Sequence, residues 1–304
     1  MNSKIASALF ALALTASPSV FAKDTIVVSS KIDTEGGLLG NVIYLSLKHS
    51  GLNVEDRVQL GGTPIVRRAL IAGEIDIYPE YTGNAAFFFN NSADEAWKNF
   101  NQGYDMAKKL DYDAHKIIWL APANANNTWA LAVRKEIAEP NQLKTMSDFG
   151  RYVTSGGNIK LAASAEFVSN PAVLPAFQDV YEFKLKESQL LVLSGGNTAA
   201  TIRAAALKTD QTNTAMVYGT DGAIASVGLV VMEDDKGVQP VYAPAPLIRE
   251  SILKAHPEIA EILRPIFASL DITTLQTLNS RIAIGGESSR SVAESYLQSK
   301  GFIK

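Results

Sequence analysis

Gly61-Gly62-Thr63-Pro64 opens a helical run that stops at Gly73, and Gly73-Glu74-Ile75-Asp76-Ile77-Tyr78-Pro79-Glu80-Tyr81-Thr82-Gly83 follows it directly. Thr63-Pro64 is a helix start, a capping residue with proline at the first helical position. Gly73 closes that helix, and Ile75-Asp76-Ile77-Tyr78 reads as the next strand. Upstream, Thr25-Ile26-Val27-Val28-Ser29 is a strand, and Leu38, Leu39, Val42, Ile43 and Leu47 fall on one helical face before Gly51. A further strand near Val58-Gln59-Leu60 leads into the Gly61-Gly62 turn. Repeated β-α-β order at these lengths predicts an α/β fold, a mostly parallel sheet with helices on both faces.

The same grammar restarts at Thr128-Trp129-Ala130-Leu131-Ala132-Val133, a second strand system. A helix after Thr145, the strand Lys160-Leu161-Ala162-Ala163, a helix opened by Asn170-Pro171 and a strand over residues 189–193 follow. Residues 198–207 are helical, and Thr214-Ala215-Met216-Val217-Tyr218 is a strand. Two sheets are thus predicted, with C-terminal helices over residues 251–270, 273–282 and 291–299. No linker rich in proline, glycine or serine separates the halves, which predicts a middle domain inserted into the first.

The first segment has a different character. Lys4 precedes an apolar run from Ile5 to Ala16, and Ser17-Pro18-Ser19-Val20-Phe21-Ala22 follows with small residues near its end. That is the pattern of a secretory signal, with cleavage after Ala22. The run falls short of the roughly 18 to 20 residues a membrane span needs. Without Lys4, 27 basic residues face 31 acidic ones, a balance of −4 that disfavours nucleic acid and anionic lipid as partners. The chain of 304 residues has no cysteine, which excludes disulfides, thiolate metal sites, cysteine nucleophiles and a lipid-modified cysteine. An exported protein with neither lipid nor span points to a periplasm between two membranes.

The usual catalytic patterns are missing: no H-E-x-x-H helix, G-x-S-x-G elbow or phosphate-binding loop occurs. His49, His115 and His256 are scattered and read as surface histidines. Gly195-Gly196-Asn197-Thr198 reads as a capped turn before a helix rather than an anion cradle. Glu80 and Glu166 read as structural carboxylates. Nothing calls for a metal or cofactor, and the chain is read as a non-enzyme. Aromatic residues are more telling. Tyr81 and Tyr218 sit at or just past strand ends, Trp129 at a strand start, and Tyr242 in Pro240-Val241-Tyr242-Ala243-Pro244. Sheets of this class bind ligands beyond the carboxyl ends of their strands.

The runs Ser30-Lys31-Ile32-Asp33-Thr34-Glu35, Leu60-Gly61-Gly62-Thr63, the 73–83 stretch, Tyr218-Gly219-Thr220-Asp221 and Asp234-Asp235-Lys236-Gly237 together form a pattern. In that order, over essentially residues 24–304, the chain resembles the solute-binding proteins of osmoprotectant ABC importers, the glycine betaine, choline and proline betaine group. The resemblance implies a two-lobed periplasmic binding protein of type II, a Venus flytrap, each lobe a mixed, mostly parallel sheet flanked by helices. Residues 23–127 and 220–304 would form lobe 1, and residues 128–219 lobe 2.

The resemblance also implies a site: an aromatic cage of Tyr81, Trp129, Tyr218 and Tyr242 around a trimethylammonium group. Trp129 departs from the tyrosine more usual there. A quaternary ammonium has no N–H to donate, so π-faces attract it instead, at about 0.5 to 2 kcal/mol each. The opposite end of the ligand falls to Lys31, Asn84, Asn127 and Asn170. Asn170 stands where some members place an arginine, and it also suits an N-cap before Pro171. Losing a charge-assisted pair there implies weak betaine binding, or a ligand whose second end is not a simple carboxylate. The implied partners are a small quaternary-ammonium solute and a membrane permease with its ATPase, the binding protein itself a monomer. Ergothioneine, a polar amino acid and a ligand-presenting sensory role remain alternatives.

Overall fold

The computed structural model describes residues 25–193 and 198–304. The segment read as a secretory signal with its cut after Ala22, and the turn residues Gly195, Gly196 and Asn197, lie outside the described residues.

The first sheet is built from β1 (Ile26–Lys31), β2 (Val54–Gly61), β3 (Ile77–Tyr81), β4 (Ile117–Trp119) and a late strand, β10 (Pro244–Arg249). Its order is β2-β1-β3-β10-β4, with β1 parallel to β2 and β3, and β10 antiparallel to β3 and β4. The second sheet holds β5 (Trp129–Arg134), β6 (Leu161–Ser164), β7 (Leu190–Leu193), β8 (Thr214–Tyr218) and β9 (Leu229–Val231). It runs β7-β6-β8-β5-β9, and here β5 is the reversed strand, antiparallel to β8 and β9. The two sheets therefore repeat one plan, with a single strand against the rest. The β9 ladder joins residues 229–231 to the second sheet, although the sequence grouped residues 220–304 with the first.

Helices cover both faces of each sheet. Around the first lie α1 (Thr34–His49), α2 (Thr63–Ala72), α3 (Asn84–Phe88) and α4 (Phe100–His115). Around the second lie α5 (Lys135–Ala138), α6 (Met146–Thr154), α7 (Ala165–Ser169), α8 (Leu174–Val180), α9 (Thr198–Ala206) and α10 (Ala223–Ser226). The chain ends in α11 (Glu250–Ala255), α12 (Glu258–Ala268), α13 (Ile272–Ala283) and α14 (Ser289–Ser299). One core joins Leu38, Val42 and Leu47 of α1 to Ile266 of α12, Leu275 of α13 and Val292 of α14. On the other face of that sheet Trp97, Tyr78, Trp119 and Leu70 form a second core. Among the described residues no helix is long and apolar enough to cross a membrane.

Several boundaries differ from the expected ones. The cap of α2 is Gly62, with Thr63 already in the helix and Pro64 in its first turn. β3 runs on through Pro79 to Tyr81, because Pro79 faces Pro246 of β10 at a rung where neither can donate. The helix placed at Asn170-Pro171 begins only at Leu174. Asn170 instead ends α7, and its side-chain oxygen accepts from the Ala172 N–H at 3.0 Å. The helix read over residues 251–270 is two, split at His256-Pro257, where proline lacks the donor a continuous helix needs.

Candidate functional site

A cleft of about 1380 Å³ opens between the two sheets, and all four expected aromatics line it: Tyr81, Trp129, Tyr218 and Tyr242. Each is set by a local device. Trp129 and Tyr218 are direct partners on the β5–β8 ladder, so their rings lie side by side, centroids 6.1 Å apart and 26° from parallel. Phe167 stands edge-on behind Trp129 at 6.0 Å. Tyr242 sits two residues before β10 in the return crossover, which is pinned to the outgoing one. Its N–H donates to Asn126 Oδ1 at 2.8 Å, and its carbonyl accepts from the Asn127 N–H at 3.0 Å. Gly83 explains the glycine after Tyr81-Thr82: a Cβ there would sit 2.8 Å from Tyr242 Cδ1, inside its ring. Burial pushes the phenols of Tyr81, Tyr218 and Tyr242 up, the last to about 12, so the rings stay neutral in ordinary buffers.

Tyr81 is held from two sides. Its hydroxyl donates to Glu35 Oε1 at 2.7 Å, and the Lys31 ammonium lies 4.6 Å over its ring. One face of Tyr81 is thereby occupied, and at most the other is open to the cleft. Lys31 does not line the cleft. Its ammonium pairs with Glu80. Asn84, which does line the cleft, also turns its amide to Glu80 Oε1, at 2.7 Å. The Tyr81 N–H at 2.7 Å and the Tyr78 hydroxyl at 3.0 Å complete a buried shell around that carboxylate. Lys31 and Asn84, two of the four residues assigned to the ligand's second end, thus turn to Glu80 within the protein. Asn127 and Asn170 line the cleft, the first at the outgoing crossover and the second on the opposite wall.

The residue that sequence reasoning missed is Glu35, on the first turn of α1 and buried in the cleft wall. Asn279 of α13 donates to its Oε2 at 2.6 Å, and Asn127 to its Oε1 at 3.3 Å. Burial raises its carboxyl above the usual range, against opposing hydrogen bonds from Thr220, Tyr81 and Asn279. An acidic residue in a first helical turn ordinarily complements the helix dipole, which hid its other role. Glu80 is buried away from the cleft and Glu166 lies on the far wall, so the two form no acid/base pair. None of the three histidines lines the cleft, and no group of side chains suited to a metal occurs among the described residues.

The arrangement is a deep, aromatic, acid-bearing cleft straddled by crossovers, suited to enclosing a small cation. Residues 24–299 match the family described as the substrate binding domain of ABC-type glycine betaine transport system. The glycine betaine-binding protein YehZ of Escherichia coli is 54% identical over 93% of this chain and 93% of its own. A glycine-betaine-binding protein of Pseudomonas aeruginosa is 30% identical over 98% of this chain and 95% of its own. The solved structure of apo YehZ from Escherichia coli superposes with a TM-score of 0.90 at 55% identity, covering 91% of this chain and 99% of that one. The fold is accordingly that of the type II periplasmic binding proteins. The chain belongs to the substrate-binding domains of ABC-type glycine betaine transport systems.

Proposed function

We propose that this chain captures a small quaternary-ammonium solute of the glycine betaine and choline class and hands it to an ABC importer. The observation that carries the reading is the convergence of Tyr81, Trp129, Tyr218 and Tyr242 on one cleft. A positive centre wrapped in methyl groups has no N–H to donate, and neutral π-faces supply both attraction and apolar burial. Asn127 and Asn170 are left to meet the ligand's second end, while Asn84 turns to Glu80 and Lys31 acts indirectly, by backing the Tyr81 ring.

In this reading residues 23–127 with the C-terminal helices form one lobe and the segment beginning at residue 128 forms the other. The leader of residues 1–22 is removed after Ala22 and the mature chain works in the periplasm. Closure brings the Tyr81 wall toward the Trp129–Tyr218 pair, and ligand favours the closed form by the contacts made only there. The chain delivers solute to a permease and its ATPase without turning it over.

Calorimetric titration with glycine betaine tests the cage. Trp129→Ala is expected to weaken binding more than about tenfold, the loss of one desolvated cation–π contact with its burial. Unchanged affinity would remove Trp129 from the site.

A further inference from the structure

The cleft wall is unbalanced in charge. Six carboxylate side chains and two lysines line it, with no arginine among the described residues. Both lysines are turned to partners at the exposed rim: Lys98 pairs with Glu95 at 3.0 Å, and Lys236 donates to the Val180 carbonyl at 2.9 Å. Lys31 and Asn84, the other donors nearby, both turn to Glu80. A ligand carboxylate entering this cleft therefore meets a predominance of negative charge, and the Trp129 Nε1–H on the opposite wall is a buried donor there without a hydrogen-bond partner.

Glu35 stands apart from the other acids because it is only 5% exposed and bears contacts on both oxygens. Tyr81 Oη and Asn127 Nδ2 approach Oε1, and Asn279 Nδ2 approaches Oε2. Each of these contacts is a donor, which suits an ionised carboxylate. The same contacts fix both amides: turning either over would press its oxygen against Glu35, and Asn279 Nδ2 also donates to the Thr220 carbonyl at 2.9 Å. Their oxygens are left over. Asn127 Oδ1 and Asn279 Oδ1 are both buried without a hydrogen-bond partner, and Asn279 is only 5% exposed. A buried acceptor with nothing to accept is costly, and both residues line the cleft. The wall thus offers one buried negative charge and two idle acceptors, which a ligand with positive charge and an O–H or N–H group would satisfy.

We propose that Glu35, together with the amide oxygens of Asn127 and Asn279, is the specificity-determining group of this cleft, favouring singly charged quaternary-ammonium alcohols over zwitterions that end in a carboxylate. This rests on the cleft being a quaternary-ammonium site, and the test separates the two. Calorimetry or thermal shift compares choline, glycine betaine and tetramethylammonium, which share a methylated ammonium head and differ in its fourth substituent. Choline is expected to bind at least about tenfold more tightly than glycine betaine, as like-charge juxtaposition and idle acceptors both penalise the zwitterion. In Glu35→Gln the ratio should fall to within about threefold, chiefly through weaker choline binding. Glu35→Asp keeps the charge, and a choline preference retained there but lost in Glu35→Gln would assign the effect to charge rather than shape.

Equal or tighter binding of glycine betaine by the unaltered protein would overturn the proposal. A full preference persisting in Glu35→Gln would equally overturn it. Should Glu35→Gln fail to fold, the wild-type ratio still decides the preference, and Asn279→Ala, which removes an idle acceptor, must narrow it or the proposal fails. Binding of tetramethylammonium and betaine without a choline advantage sinks this inference alone. Failure of all three compounds to bind sinks the quaternary-ammonium reading, and this inference with it.

Discussion

Lys31 and Glu80 form a buried charged pair directly behind the Tyr81 wall of the cleft. The ammonium lies over the Tyr81 ring while Glu80 gathers Tyr78, Asn84 and the Tyr81 backbone, so the pair fixes the wall from behind. Lys31→Met would leave Glu80 buried without its counter-charge, and chemical denaturation should show a loss of about 3 to 5 kcal/mol. A loss under about 1 kcal/mol would mean that Glu80's hydrogen bonds suffice. Glu35 gives a pH dependence. Its carboxyl is raised by burial, so from its ordinary 4.5 upward to its shifted value the folded chain holds more proton than the unfolded. The stabilisation it contributes is present at low pH and lost as pH rises through that window. A bound cation favours the ionised form, so cation affinity should fall as pH drops into the window. Asp221, also raised by burial and also lining the cleft, titrates in the same sense. Affinity measured from neutral to acidic pH should therefore flatten, though not vanish, in Glu35→Gln; an identical slope in the variant would deny Glu35 a part.

At the scale of the element, the 81–84 turn couples strand to cage. Gly83 has φ −61° and ψ −24°, ordinary helical values, so its need for glycine is one of space alone. Gly83→Ala should shift the Tyr242 ring, costing about 1 to 3 kcal/mol of stability by overpacking and weakening ligand with it. Wild-type affinity in Gly83→Ala would show that Tyr242's position is immaterial. Elements with clean periodicity were legible in sequence: β1, α1, β5, β6 and β8 fall within a residue or a few of their expected places. β10 was not, because Pro244 and Pro246 disguise a strand whose prolines the antiparallel rung tolerates. Nor was α4, whose apolar positions Tyr104, Ala107 and Leu110 are sparse among polar neighbours and pack beside a buried Asp111. Its Asp111 instead receives Arg67 and the Trp119 Nε1–H, the latter at 2.7 Å, contacts that no local pattern reveals. The four aromatics could be named in advance because the family resemblance implied them, and the structure lines one cleft with all four. The partners of Lys31 and Glu35 come from distant segments, so only the folded chain discloses them.

For the whole molecule, two copies of one sheet plan face each other across a cleft, and the crossovers between them are tied together at Asn126, Asn127 and Tyr242. Tyr242 sits in that tied connection, so in the proposed reading a ligand touching it also touches the segment that closure would bend. Closure should be visible as a smaller radius of gyration in solution scattering once ligand saturates. The claim on which the account turns is that positive charge, and not merely the shape of a trimethyl head, is what the aromatic walls recognise. Calorimetry of choline against 3,3-dimethylbutan-1-ol, its uncharged carbon counterpart of the same outline, tests that claim most directly. The account predicts at least about tenfold weaker binding of the neutral alcohol, since cation–π attraction is lost while apolar burial is kept. Equal affinities for the two would contradict it.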